Sequence, residues 1–256
     1  MIEVKDLHKE FNGVPVLKGI STNFEKGKTN MIIGQSGSGK TVFLKCLLGL
    51  HQHESGLISF DGRSHSELNI AEHRQLRKEI GMVFQGGALY DSLTIEENVM
   101  FPLKMFTNDS YSAMTDRVNA VLKRVELKDV NDKFPAQLSG GMQKRVAIAR
   151  AIVTNPKYLF CDEPNSGLDP NTAIVIDNLI QEITKEYDII TVINSHDMNS
   201  VMEIGEKIVF LKNGIKAWEG TNKEIFKTEN EAIVNFVYSS NLFRKVREVI
   251  LSETNS

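Results

Sequence analysis

Hydrophobic and polar positions change their period several times along the chain, and each change marks a different element. Residues 2–24 alternate around an Asn12-Gly13 turn, which predicts an antiparallel β segment. Apolar and β-branched runs predict strands at 29–33, 57–62, 80–85, 158–163 and 189–196, and a hairpin at 207–219. Helical spacing predicts helices at 42–50, 71–78, 93–103, 114–125, 138–153 and 171–185, and further helix over 221–256.

The order of these elements predicts an α/β fold with one interruption. Strands and helices alternate along most of the chain, which favours a sheet flanked by helices. Residues 86–155 carry mainly helical patterns and predict an α-helical subdomain inserted into the α/β domain. Within it, Thr94 and Glu97 have the spacing of a capping box, at the start of a helix that Pro102 should end or bend.

Composition and charge restrict the possible partners. The chain has 256 residues, 41% of them hydrophobic and 25% charged, which is ordinary for a soluble globular protein. A formal net charge of −3 predicts no general affinity for nucleic acid. No apolar run approaches the roughly 18 residues of a membrane-spanning helix, and the N-terminus lacks a signal-peptide core. We therefore expect any membrane role to come through a partner. Cys46 and Cys161 lie in apolar runs, as buried thiols would.

One glycine-rich stretch follows the first buried strand and opens a helix. It fits the P-loop pattern at every fixed position, with the residues Gly34, Gln35, Ser36, Gly37, Ser38, Gly39, Lys40 and Thr41. Amide groups and the helix dipole at such a turn attract phosphate oxygens. Lys40 is predicted to reach the β- and γ-phosphates of a nucleotide, and the Thr41 hydroxyl to hold Mg²⁺.

Further polar residues follow predicted strands or open predicted helices. Ser139, Gly140 and Gly141 begin a helix and form a second candidate anion site. Asp162 and Glu163 end a buried strand, where the aspartate is predicted to face Mg²⁺ and the glutamate the γ-phosphate. Two more strand ends deliver Gln85 and His196. Phe11 precedes the first turn; it could stack on a nucleotide base, although spacing alone favours a core aromatic.

Taken in order, these motifs resemble the nucleotide-binding subunit of ABC transporters over residues 2 to about 228. The resemblance implies a P-loop NTPase fold, with a RecA-like mixed sheet and flanking helices, an N-terminal antiparallel β segment and the inserted helical subdomain. It divides the chain into an ATPase domain, 1–228, and a C-terminal helical extension, 229–256. That extension could pack on its own domain or dock a second subunit.

The same resemblance implies a role for each motif. Phe11 would stack on adenine, and the P-loop would cradle the phosphates of ATP. Thr41, Gln85 and Asp162 would hold Mg²⁺ and its water. Glu163 would be the base that polarises the attacking water, and His196 would contact the γ-phosphate. Ser139, Gly140 and Gly141 would bind ATP held by another copy in a homodimer, with Asp169 at the interface.

Two sequence features indicate a particular subfamily of ABC transporters. Met142 stands where the family usually has glutamine, and residues 84–94 with 98–103 carry a Phe-Gln-x-Gly-Ala-Leu pattern. Both are similar to the ATPase of Mla-type phospholipid transporters. That similarity implies phospholipid as cargo, a membrane permease and a lipid-binding substrate protein as partners, and a cytoplasmic position on the inner face of the membrane. An amino-acid importer, a lipoprotein-release ATPase and a soluble ABC-type ATPase are the alternatives.

Overall fold

The computed structural model describes Met1–Tyr238, and these residues form two compact units. The first contains Met1–Glu25, Thr29–Glu67 and the described residues from Asn194 onward. The second contains Lys26–Lys28 and Leu68–Ile193. The predicted domain division at residue 228 and the predicted insertion at 86–155 remain predictions. The second face predicted for the C-terminal extension, from Leu242 to Ile250, lies outside the described residues.

An antiparallel sheet forms the N-terminal part of the first unit. Its strands are β1 (Ile2–Phe11), β2 (Val14–Phe24), β4 (Ser55–Phe60) and β5 (Arg63–Ser64), in the order β2-β1-β4-β5. Strands β1 and β2 pair from Ile2↔Phe24 to Phe11↔Val14, so the turn lies at the predicted Asn12-Gly13. The alternation of residues 2–24 therefore predicted this hairpin correctly.

The first unit also contains the strand that carries the P-loop. Strand β3 (Thr29–Ile33) is buried throughout and pairs in parallel with β9 (Lys207–Lys212), which pairs antiparallel with β10 (Ile215–Gly220). The helices of this unit are α1 (Lys40–Leu47), α7 (Met198–Ile204) and α8 (Glu231–Val237). Residues 221–230 form turns rather than the predicted helix; Asn230 caps α8 with its side-chain oxygen.

Parallel strands and helices make up the second unit. Its strands, in the order β8-β7-β6, are β6 (Ile80–Val83), β7 (Tyr158–Asp162) and β8 (Ile190–Asn194), whose last residue belongs to the first unit. Its helices are α2 (Ile70–Lys78), α3 (Ile95–Phe106), α4 (Tyr111–Arg124), α5 (Gly140–Ile152) and α6 (Pro170–Glu186). Strands β6 and β7 are parallel, from Ile80↔Tyr158 to Val83↔Cys161.

Helix α3 begins where the capping box predicted but ends later. The Thr94 hydroxyl accepts from the Glu97 amide, and the Glu97 carboxylate accepts from the Thr94 amide. Pro102 lies inside the helix, which continues to Phe106. Of the two predicted alternatives, that Pro102 ends the helix or bends it, the first is therefore wrong. Buried Asn98 anchors the preceding loop, because its amide nitrogen donates to the carbonyls of Tyr90, Leu93 and Thr94.

Candidate functional site

The P-loop joins the end of β3 to the start of α1 in the first unit. Lys40 is buried, and its ammonium donates to the carbonyls of Gly34 and Gln35 at 2.9 and 3.2 Å. The ammonium therefore lies against the loop that the sequence assigned to the phosphates. Thr41 stands in the first turn of α1, and its hydroxyl accepts a long hydrogen bond, 3.4 Å, from the Asn194 amide.

The loop has the features that a bound phosphate requires. Helix α1 begins after Gly39, which supplies no side-chain cap, so its first amides are available to an anion. The Ser38 hydroxyl is buried and has no hydrogen-bond partner in the described part of the chain. A phosphate oxygen would satisfy it, because a buried polar group without a partner is costly. The loop therefore fits the triphosphate of ATP.

Close packing behind the loop explains its first glycine. A Cβ at Gly34 would lie 2.3 Å from the carbonyl oxygen of Leu211 in β9, and 2.6 Å from the Ser38 hydroxyl. Gly34 also has a φ of +153°, a conformation that favours glycine. No larger residue can occupy this position without moving the loop or β9.

Two more predicted site residues lie in the first unit. The Phe11 ring is 40% exposed, so the alternative of a core aromatic is wrong. The Phe11 and His51 rings are nearly perpendicular, with their centroids 5.3 Å apart, and the Lys9 ammonium lies 4.8 Å from the centroid of the Phe11 ring. An exposed ring of this kind is suited to stacking on a base. His196 lies two residues beyond the end of β8 and is also exposed.

The two predicted carboxylates lie at the end of β7 in the second unit. Asp162 is the last residue of the strand, and Glu163 follows it. Glu163 has a φ of +50°, a left-handed conformation that is uncommon outside glycine and that concentrates at functional sites. Its carbonyl accepts from the Ser166 amide at 3.1 Å. Burial raises the pKa of the neighbouring Cys161 thiol, which therefore stays neutral beside these carboxylates.

The Gln85 side chain contacts the segment that follows Asp162 and Glu163. It lies two residues after the end of β6, and its side-chain nitrogen donates to the Ser166 hydroxyl at 3.2 Å. In the same segment, the Asn165 amide donates to the buried Asp177 carboxylate of α6 at 2.7 Å. Sequence reasoning missed this pair, for which the only signal was an aspartate on the apolar face of a helix.

The predicted second anion site is the capped start of α5. Ser139 is the N-cap, and its hydroxyl accepts from the Met142 amide at 3.3 Å. Gly140 and Gly141 are the first residues of the helix. A Cβ at Gly141 would lie 2.7 Å from the Thr172 methyl group in α6, so any larger residue there would have to displace the Thr172 side chain.

Asp169 has a structural task that the sequence did not indicate. It caps α6, accepting from the amides of Asn171 and Thr172 and from the Thr172 hydroxyl. These hydrogen bonds, above all the one from the Thr172 hydroxyl, lower the pKa of the Asp169 carboxyl. The positive end of the helix dipole also stabilises a charged carboxylate at this position.

Comparison with known proteins identifies the family. The model of the family described as ABC transporter matches residues 17–166, more than half of the chain. The chain belongs to the ABC transporter family. It is 40% identical to the methionine import ATP-binding protein MetN of Clostridium tetani over 226 residues, 88% of this chain and 71% of that protein. The MetN of Campylobacter jejuni is 36% identical, covering 94% of this chain and 76% of the relative.

Solved structures of ABC proteins share the fold. A dimeric, post-hydrolysis state of the ATP-binding cassette MJ0796, bound to ADP and phosphate, aligns with a TM-score of 0.78 and 33% identity, covering 87% of this chain and 99% of that one. The P-loop NTPase fold predicted from the motif order is confirmed, and so is ATPase activity. No helix within residues 1–238 is both long and apolar enough to cross a membrane.

As an ABC ATPase, the chain binds ATP and works with a membrane permease. The phospholipid cargo expected from Met142 and residues 84–94 has no support among these relatives, whose names specify methionine import.

Proposed function

We propose that this ABC ATPase powers the import of an amino acid, such as methionine, through a separate membrane permease. The observation that carries the proposal is the 40% identity, over 88% of this chain, to a methionine import ATPase. The amino-acid importer that the sequence left as an alternative thus replaces phospholipid transport as the leading proposal. We further propose that the chain works on the cytoplasmic face of the membrane and receives its cargo through a substrate-binding protein.

The residues of the P-loop hold the phosphates of ATP in this proposal. Lys40 shifts its ammonium from the carbonyls of Gly34 and Gln35 to the phosphates, and Ser38 donates its hydroxyl to a phosphate oxygen. The oxygen ligands of Thr41, Gln85 and Asp162 are the kind that Mg²⁺ prefers, and the ion would neutralise charge on the β- and γ-phosphates. Gly37 and Gly39 complete the loop with Gln35 and Ser36, and Phe11 stacks on the adenine.

Hydrolysis then needs a base and an oriented water. The Glu163 carboxylate accepts a proton from a water molecule while the oxygen of that water attacks the γ-phosphorus. The bond between the γ-phosphorus and the oxygen that bridges it to the β-phosphate breaks, and ADP leaves. His196 donates to the γ-phosphate. Catalysis comes from position and charge, because phosphoryl transfer requires little covalent participation by the protein.

The site is completed in this proposal by a second copy. Ser139, Gly140 and Gly141 of one chain bind the γ-phosphate of ATP held by the other, so ATP closes a homodimer and hydrolysis opens it. The dimeric MJ0796 cassette supports this arrangement. The Thr172 hydroxyl donates to the Asp169 carboxylate and so orders the start of α6, which packs beside Gly141. In this proposal, that hydrogen bond also fixes the geometry of the dimer face.

An apolar pocket in the second unit suits the permease. Its volume is about 360 Å³, and Phe84, Tyr90, Phe101, Pro102 and Met105 contribute to its lining. Phe84, Tyr90 and Met105 are each more than 40% exposed. Aromatic and methionine side chains that line a groove are typical of surfaces that receive an amphipathic helix. We propose that a cytoplasmic helix of the permease docks here.

A pull-down tests this proposal, followed by reconstitution. The chain is expressed with its neighbouring genes, and the proteins and lipids that copurify are identified by mass spectrometry. The complex is then placed in vesicles of phosphatidylethanolamine and phosphatidylglycerol, and uptake of labelled methionine and leucine is measured with ATP. Methionine uptake that disappears in Lys40→Ala supports the proposal. If a permease copurifies but the vesicles take up no amino acid, the proposal that the cargo is an amino acid is refuted.

Phospholipid transport is the second candidate, and the same preparation distinguishes it. Met142 and the Phe-Gln-x-Gly-Ala-Leu pattern favour it. It predicts stoichiometric phospholipid in the purified complex and ATP-dependent transfer of labelled phospholipid to acceptor vesicles, with no effect of methionine on ATPase activity. ATPase activity without any copurifying membrane protein would instead favour a soluble ABC-type ATPase.

A further inference from the structure

Two buried cations of α5 bind main-chain carbonyls of the loop that follows β6. The Lys144 ammonium donates to the carbonyl of Gln85. The Arg150 guanidinium donates to the carbonyls of Gly87 and Ala88, at 2.6 and 2.8 Å. Both side chains are less than 10% exposed, and burial lowers the pKa of each. We call this set of contacts the α5 clamp.

The clamp binds a loop that has a strained backbone conformation. Gly87 and Ala88 both have left-handed φ angles, +75° and +47°. This conformation costs a non-glycine residue roughly 1–2 kcal/mol, a cost that a restraint on the loop can offset at Ala88. The planar guanidinium supplies it, because its two nitrogens bind two successive carbonyls at once.

The restrained loop begins at a residue of the proposed ATP site. The Gln85 carbonyl is held by Lys144, while its side chain reaches the Ser166 hydroxyl at 3.2 Å. Ser166 in turn binds the carbonyl of strained Glu163 through its amide. A hydrogen-bonded chain therefore runs from α5, through Gln85 and Ser166, to Glu163.

We propose that Lys144 and Arg150 are positioning residues for ATP hydrolysis, which hold the loop after β6 so that the Gln85 side chain keeps its place beside the segment that follows Glu163. This inference rests on the proposed role of Gln85 in the ATP site. Helix α5 would then have two functions: its N-terminal end forms the candidate phosphate-binding turn with Ser139, and its buried cations hold Gln85 in place.

The chain offers a matched control on the same helix. The Arg145 guanidinium also binds a main-chain carbonyl, that of Val125 at 2.9 Å, together with the Glu126 carboxylate at 2.7 Å. Neither contact reaches the loop after β6. Arg145→Lys and Arg150→Lys therefore remove the same guanidinium fork from α5, and only the second should affect hydrolysis specifically.

Steady-state ATPase kinetics and equilibrium ATP binding on the full chain give the first readout. We expect Arg150→Lys to lower kcat at least tenfold while KM and Kd for ATP change less than twofold. Arg145→Lys should keep kcat within twofold of the unmodified chain. Lys144→Met should lower kcat in the same way, which keeps the test valid if one variant folds poorly. Unchanged kcat in both Arg150→Lys and Lys144→Met would overturn the proposal.

A double mutant separates positioning from general stability. If Arg150 acts through Gln85, Arg150→Lys should lower kcat less than twofold further in a Gln85→Ala background. If Arg150→Lys lowered kcat by the same factor in the unmodified chain and in the Gln85→Ala background, the positioning role would be refuted. Hydrogen exchange should also accelerate at the amides of residues 86–90 in Arg150→Lys and not in Arg145→Lys. Wild-type kcat in Gln85→Ala alone is a different result, because it would reject the role of Gln85 on which the inference rests.

Discussion

Replacing Gly34 by alanine should weaken ATP binding strongly, because the added methyl group has no room. It would lie 2.3 Å from the Leu211 carbonyl oxygen and 2.6 Å from the Ser38 hydroxyl. Non-bonded heavy atoms need about 3.5 Å, so the loop or β9 must move by about 1 Å. A misplacement of about 1 Å can cost on the order of a hundredfold in the rate of a reaction that depends on geometry, which is about 2.8 kcal/mol, and we expect ATP affinity to fall by a similar factor.

A second glycine of the same loop provides the control. Gly37 also has a left-handed φ, +78°, but a Cβ there would meet no heavy atom within 4 Å. Gly37→Ala should therefore cost only the backbone strain, roughly 1–2 kcal/mol of stability, and weaken ATP binding less than about tenfold.

Both variants are measured by titration with a fluorescent ATP analogue and by the rise in Tm that Mg²⁺ and ATP produce. Nucleotide that binds only the folded state raises Tm according to its affinity, so the two readouts should agree. Equal losses of affinity in Gly34→Ala and Gly37→Ala would refute the steric reasoning.

Three further predictions concern other residues of the site. Glu163→Gln should bind ATP but hydrolyse it about 10²–10⁴-fold more slowly and accumulate as a closed dimer in size-exclusion chromatography; wild-type turnover would exclude Glu163 as the base. The pKa of Asp169 is lower in the folded chain, so its charge stabilises the fold above the unfolded pKa and this contribution is lost as pH falls through the folded pKa. The Tm difference between the unmodified chain and Asp169→Asn should thus shrink on acidification below about pH 4, and a constant difference would contradict it. Burial raises the pKa of Cys46 to about 11 and also raises that of Cys161, so thiol reagents at pH 8 should react with both only after unfolding.

Local patterns predicted the elements that carry the site, and the structure confirms them. The P-loop follows a strand and opens a helix, and Asp162 ends a strand. These features depend on the period of apolar residues and on neighbouring residues in the chain, both of which are visible in sequence. The end of α3 was less predictable, because Pro102 lies within a helix that packing continues to Phe106.

The sequence by itself determined the fold class, the P-loop and the order of motifs that placed this chain among ABC ATPases. Only the tertiary structure decided that Gly34 faces Leu211, that Gly141 faces Thr172 and that Arg150 holds the carbonyls of Gly87 and Ala88. The partners in these contacts lie from about 30 to about 180 positions apart in the chain. Short-range periodicity carries no information on such pairs, because close approach is set by how whole strands and helices pack.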